Sequence, residues 1–173
     1  AYGASDDFFK QLAWGAERIK LRKVVDALGN VSDDVKLKVL RGLAKNMTIK
    51  SSFKDAGPGV YKQDVETILR NVDNLNDYIE GLAGYIVRNT MPNYDYVGEF
   101  AEYLRLSPYG NFIAFPTEIA RTSANSAMLT YRLGKFKLSD ALSEDELGAN
   151  NLDGGTHPFK WVAAQRAMGG IIY

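Results

Sequence analysis

The sequence predicts an all-α fold, an irregular bundle of about six helices, and three observations support this fold class. Apolar residues recur at spacings of three and four along most of the chain, as in helices with one buried face. Several of these runs begin with a serine followed by acidic residues, a pattern that caps helix N-termini. No stretch alternates like a β-strand, with the exception of the four residues 112–115.

Residues 1–50 predict a basic helical hairpin. Ser5 followed by two aspartates predicts the first helix start, and an apolar run at positions 8, 12, 16 and 19 continues through 24, 25 and 28. Gly29 is a suitable residue to end this helix, and Ser32 with its two following aspartates predicts the next start. This third of the chain has 10 Lys or Arg and 6 Asp or Glu, a balance of +4.

Residues 60–133 form the predicted helical core. A single long helix is expected from Lys62 to Arg88, because it carries a heptad pattern at seven positions: Val65, Ile68, Val72, Leu75, Ile79, Leu82 and Ile86. A break at 51–59 precedes it, and a short helix at 95–106 follows. Residues 51–115 have 5 basic and 9 acidic side chains, a balance of −4. This acidic part could pair with the basic first third, within one molecule or between copies.

The next predicted helix runs from about Thr117 to Leu133. Pro116 is expected at its start, directly after an apolar plug at 112–115. Small residues occupy much of this helix, at positions 120, 123, 124, 126 and 127. Small side chains let helices approach closely, so the pattern is interpreted as tight core packing.

Residues 134–173 are predicted to be a loop and a C-terminal helix. Ser143 and Glu146 have capping-box spacing, and residues 150–155 read as a loop. The last helix opens near Pro158, with Phe159, Val162, Ala163, Met168, Ile171 and Ile172 as its apolar set. Because no capping or stop signal precedes Tyr173, we expect this helix to continue in a longer protein.

No catalytic, metal or cofactor site is expected, and the chain is not predicted to be an enzyme. The sequence has no cysteine and one histidine, His157, and it lacks metal-ligand and phosphate-loop spacings. A basic run containing Arg18, Arg22 and Lys23 could contact phosphates or anionic lipid. The net charge of zero favours instead a solvated or acid-paired face, so nucleic-acid binding is not indicated.

One part of the chain resembles a known family. Its motifs are Pro92-Asn93-Tyr94, Phe100, Leu104-Arg105, Pro108, Gly110-Asn111-Phe112, Phe115-Pro116-Thr117-Glu118-Ile119 and Arg121-Thr122-Ser123. This stretch, roughly residues 90–133, resembles a segment of very large bacteriophage internal virion proteins. The resemblance implies a protein packaged inside the capsid and ejected with the DNA into the host envelope. Other regions of such proteins can carry cell-wall cleavage or RNA polymerase activity, but no catalytic motif of either kind occurs here.

The leading functional hypothesis is a structural and assembly segment that packs against other copies or other virion proteins. Two alternatives stay open: an accessory region of a virion-packaged transglycosylase or RNA polymerase, and a segment that associates with the host membrane. The residues expected to take part in interactions are Arg18, Arg22, Lys23, Phe112, Phe115, Pro116, Glu118 and Arg121.

Overall fold

A computed structural model describes residues 2–47, 65–91, 110–155 and 159–172, with the backbone alone for residues 2–6, 110–118 and 169–172. These residues are all-α, which confirms the predicted fold class. They form seven α-helices: α1 (Tyr2–Asp26), α2 (Asp33–Met47), α3 (Val65–Ile68), α4 (Leu75–Thr90), α5 (Gly110–Lys135), α6 (Glu144–Ala149) and α7 (Phe159–Ile172). The predicted break at 51–59 and short helix at 95–106 lie outside the described residues.

The first two helices end and begin close to where the sequence predicts. After α1, Gly29 adopts a φ of +75°, a conformation that glycine reaches without the steric penalty of a side chain. Ser32 caps α2, because its Oγ accepts a hydrogen bond from the backbone N–H of Val35 at 3.4 Å. The start of α1 was wrong by a few residues, since the helix already begins at Tyr2, ahead of Ser5.

The prediction of a single long helix from Lys62 to Arg88 was wrong, because a turn divides this stretch into α3 and α4. Asn74 caps α4: its Oδ1 accepts hydrogen bonds from the N–H groups of Asn76 at 2.9 Å and Asp77 at 3.2 Å. An asparagine that bonds to backbone amides in this way favours a helix start over a helix interior. Four of the seven heptad positions are buried, on both sides of the turn: Val65, Ile79, Leu82 and Ile86. Val72 and Leu75 are half-buried, and Ile68 is 43% exposed, so Leu69 takes its place in the core.

Helix α5 begins at Gly110, seven residues before the expected start at Thr117. Residues 112–115, predicted as a plug ahead of the helix, are therefore helical, and Pro116 lies inside the helix. A proline removes one backbone hydrogen bond, and the residues before it can still be helical where the surrounding fold supports them.

The predicted loop region at 134–155 is ordered by short elements. A 3₁₀ turn at Leu138–Asp140 leads to α6, where Ser143 Oγ accepts from the N–H of Glu146 at 3.3 Å and completes the predicted capping box. The following loop returns to the turn, since the N–H of Leu138 donates to the carbonyl of Gly155 at 3.0 Å. Buried side chains of Leu138 and Leu142 anchor the region to the core.

The helices share one apolar core. Helix α1 packs mainly on α4, α2 contacts α3, α4 and α5, and α5 packs mainly against α7. Buried residues from all three predicted segments belong to this core, for example Val24, Ile86 and Phe159. Phe136 and Phe159 meet edge to face with ring centroids 4.7 Å apart. Full burial of such a side chain contributes about 1.5–3 kcal/mol. The division into three segments stays a prediction.

One close approach depends on glycine. A Cβ built on Gly42 of α2 would lie 2.6 Å from Ala141 Cβ, closer than two carbon atoms can pack. The turn that follows the 3₁₀ element is therefore seated directly on the α2 backbone.

Candidate interaction surface

Helix α1 has two apolar faces, and only one of them meets the core. Leu21, Val24, Val25 and Leu28 are buried. Three large apolar side chains at helical spacing point away from this face and stay exposed: Phe8 is 56% exposed, Leu12 55% and Ile19 55%. The sequence pattern had joined both sets in one apolar run, so the outward position of the first set is a correction.

We define the outward face of α1 as Phe8, Leu12, Gly15, Ala16 and Ile19. Phe9 lies beside this face and is 58% exposed. Its ring meets the Phe8 ring edge to face, with the two ring centroids 5.8 Å apart. The spacing of positions 8, 12, 15, 19, 22 and 26 alternates between four and three residues, which is the spacing of a helix–helix seam. The outward face is thus a coherent stripe that ends at exposed Arg22, Lys23 and Asp26.

The three predicted interaction residues on α1 differ in their surroundings. Arg18 is half-buried, where its guanidinium lies 4.8 Å from the Trp14 ring centroid and its Nη1 lies 3.4 Å from Glu80 Oε1. Lys23 is exposed with its Nζ 5.0 Å from the centroid of Trp161 on α7. Arg22 is exposed at the end of the outward face. Arg22 and Lys23 thus border this face, whereas Arg18 fastens α1 to α4.

A buried ion pair joins α1 to α7. Arg166 Nη2 donates to Glu17 Oε2, and the two side chains are 6% and 11% exposed. Lys20 Nζ adds a second contact to Glu17 at 3.2 Å. Burial lowers the pKa of Arg166, and the charge and hydrogen bond of Glu17 oppose this change. The pair therefore keeps a cation inside the fold and holds α7 against α1.

Sequence reasoning missed this pair, although a signal existed on each helix. Glu17 occupies the same helical face as buried Leu21 and Val24, four and seven residues further along α1. Arg166 follows buried Phe159 and Val162 by seven and four residues on α7. A charged residue on each of two apolar stripes indicates that the two charges meet.

The other basic residues of the first third are largely paired with acids. On α2, Lys38 contacts Glu146, and Arg41 Nη2 lies 2.7 Å from Asp73 Oδ1. The Arg41 and Arg18 contacts both join the basic first third to the acidic middle of the chain within one molecule. Arg18, Lys38 and Arg41 therefore have acidic partners, whereas Arg22 and Lys23 are exposed, and contact of the basic run with phosphates stays an untested alternative.

The remaining predicted residues lie on α5, which packs mainly against α7 and also contacts α2 and α4. The structure places Phe112, Phe115, Pro116 and Glu118 in the first turns of α5 by their backbone alone, and their side chains are outside the described set. Arg121 is half-buried further along the helix. These residues are grouped on a different helix from Arg18, Arg22 and Lys23.

The prediction that the small residues of α5 pack tightly in the core was wrong. Ala120, Ser123, Ala124 and Ala127 are exposed, and α5 buries instead a face with Thr122, Leu129 and Leu133. Since the larger apolar residues lie on the opposite side, helical periodicity turns the small residues outward. One polar contact crosses from this helix to α4, where Asn125 Nδ2 donates to the carbonyl of Asn89 at 2.9 Å.

Within the described residues, no three His, Cys, Asp or Glu side chains are grouped in a way that could hold a metal ion. His157 lies outside those residues. None of the helices in the described ranges is long and apolar enough to cross a bilayer. No protein-family model, curated protein or solved structure significantly matches this chain.

Proposed function

We propose that this chain is a structural and assembly segment of a large phage internal virion protein, which is ejected with the DNA and acts through helix packing with other virion proteins. The observation that carries the assembly role is the outward face of α1. The phage setting rests on the sequence resemblance at residues 90–133.

The outward face supports this role because it is apolar, continuous and exposed. Phe8, Phe9, Leu12 and Ile19 each leave more than half of their surface in solvent, which is unfavourable for a helix that has no partner. Their seam-like spacing is typical of a surface that receives another helix. Helix α1 is fixed to the surrounding fold through its core face on α4 and through the Glu17–Arg166 pair to α7.

Mass spectrometry of protease-treated phage particles tests the virion location. Peptides of this chain should be present in intact particles after external protease treatment, since an internal protein is shielded by the capsid. The same peptides should become protease-sensitive after ejection is triggered in vitro. Absence of these peptides from purified particles of the phage that encodes the chain would contradict the proposal.

Membrane association is a second candidate function, and the cations at the end of the outward face favour it. An amphipathic helix with large apolar residues and flanking Arg22 and Lys23 has the composition of an interfacial helix. Flotation of the purified chain with vesicles containing anionic lipid tests this candidate. Failure to float at low salt would remove it.

A further inference from the structure

We infer that the partner of the outward face is a second copy of this chain, with the two α1 helices antiparallel about a two-fold axis between Gly15 and Ala16. This inference rests on the proposed assembly role and names the partner of that surface. It follows from three properties of α1: the symmetry of its outward face, the distribution of its charges and the size of its exposed apolar area.

The outward face is self-complementary when one helix is reversed. In a register where paired residue numbers add to 31, Leu12 of one copy lies opposite Ile19 of the other, on both sides of the axis. Gly15 lies opposite Ala16 at the axis, where small residues let the two helices approach closely. A Cβ built on Gly15 would meet no atom of the described residues within 4 Å, so their side chains leave this position open. An isologous two-fold contact needs such a palindromic pattern.

The charges of α1 select the antiparallel direction. In this register Arg22 lies opposite Phe9 of the other copy, where its guanidinium can lie over the aromatic ring, and Lys23 lies opposite Phe8. In a parallel pair with residues in register, Arg22 would lie beside Arg22 of the second copy and Lys23 beside Lys23. These like charges would repel each other.

Exposed Asp26, at the end of the outward face, comes opposite residue 5 in the partner's first helical turn, where free backbone N–H groups favour an anion. An anionic lipid surface would repel this carboxylate. The same charge therefore favours a second copy over a membrane.

The exposed area indicates a weak dimer. The four large apolar side chains leave about 100 Å² each in solvent, so a symmetric contact would bury roughly 800–1,000 Å² in total. That is at the low end for specific protein contacts, and the expected Kd is on the order of 10–100 µM. Such a contact becomes stable where many copies are held close together.

The lack of cysteine allows a direct cross-linking test on the complete 173-residue chain. Ala16→Cys should form a covalent dimer with a short bis-maleimide, because position 16 lies beside its own copy at the axis. Lys45→Cys, an exposed position on α2, is the matched control and should give no covalent dimer, because position 45 lies away from the proposed contact.

A mixture of two variants tests the direction. Leu12→Cys and Ile19→Cys should cross-link to each other but not to themselves, because like positions are about 10 Å apart along the axis. Cross-linking of each variant to itself, without the mixed product, would mean a parallel pair and would overturn the inference.

Sedimentation equilibrium supplies the second measurement. The wild-type weight-average mass should rise above 19.2 kDa with concentration, and Leu12→Ser with Ile19→Ser should weaken dimerisation by at least about tenfold. Ile119→Ser, at a 41% exposed position on α5, should leave the dimer unchanged. A wild-type chain that stays monomeric at about ten times the expected Kd overturns self-pairing, whether or not it floats with vesicles. Protease protection inside particles would then leave the virion role standing, so the two failures are distinguishable.

Discussion

Replacing Glu17 by glutamine should destabilise the fold far more than an ordinary charge substitution. The change keeps the size of the side chain but removes the anion that faces the buried guanidinium of Arg166. Arg166 is 8% exposed, and its Nε has no acceptor among the described residues, so nothing there replaces the lost carboxylate. Breaking a buried pair from one side typically costs about 3–5 kcal/mol. For a chain of this length, that corresponds to a fall in Tm of roughly 6–20 °C.

Urea unfolding followed by circular dichroism measures the free energy of unfolding. The matched control is Glu80→Gln, which removes the partner of Arg18 in a pair whose side chains are 35% and 43% exposed. That control should cost less than about 1 kcal/mol. The double variant Glu17→Met with Arg166→Met should recover most of the loss, since two apolar side chains leave no buried charge. A cost below about 1 kcal/mol for Glu17→Gln would refute the reasoning, because the pair would then behave as a solvated one.

Three further predictions follow from single sites. Gly42→Ala should lower the free energy of unfolding, because its Cβ would clash with Ala141. Gly84→Ala in α4, where a Cβ meets no described atom within 4 Å, should raise the free energy of unfolding by about 0.5–1 kcal/mol, and urea titration compares the two. Burial raises the pKa of Tyr78 to about 12, so its contribution to stability is complete below pH 10 and is lost as the pH rises towards 12. Tyr78→Phe should therefore reduce the loss of stability at alkaline pH, measured by thermal melts. The hydrogen bond from Lys38 lowers the pKa of Glu146 from 4.5 to about 2. The contribution of this carboxylate to stability is therefore complete above pH 4.5 and is lost as the pH falls through 2. Lys38→Met should raise the pKa of Glu146, measured by NMR titration of its carboxyl group.

The helical class of this chain could be predicted because capping signals and apolar spacing agree along it. The starts of α2 and α6 were found from Ser32 and Ser143, whose hydroxyls accept the expected backbone hydrogen bonds. Local chemistry of this kind needs no knowledge of the tertiary fold. These parts of the prediction therefore hold to within a residue or two.

The division of the heptad helix was harder to predict, since apolar spacing continues through the break. Val72 and Leu75 keep the period, while the cap formed by Asn74 starts a new helix between them. The signal was present in the polar residues Asn71, Asp73 and Asn74, which favour caps and turns over helix interiors. A prediction from apolar spacing alone does not take these polar residues into account.

The interaction surface could be predicted only in part. Arg22 and Lys23 were singled out and do border the outward face of α1, but the apolar residues of that face were read as core. Spacing shows that Phe8, Leu12 and Ile19 share one side of a helix. It does not show whether the rest of the fold covers that side, because this depends on how α1 packs on α4 and α7.

Photo-cross-linking inside intact phage particles tests most directly whether the outward face of α1 is an assembly surface. A photoreactive amino acid at position 12 should cross-link to another polypeptide, either a second copy or a different virion protein. The same amino acid at position 45, exposed on α2, should give far less intermolecular product. Particles in which position 12 yields no intermolecular product, while the chain is present and folded, would contradict the account.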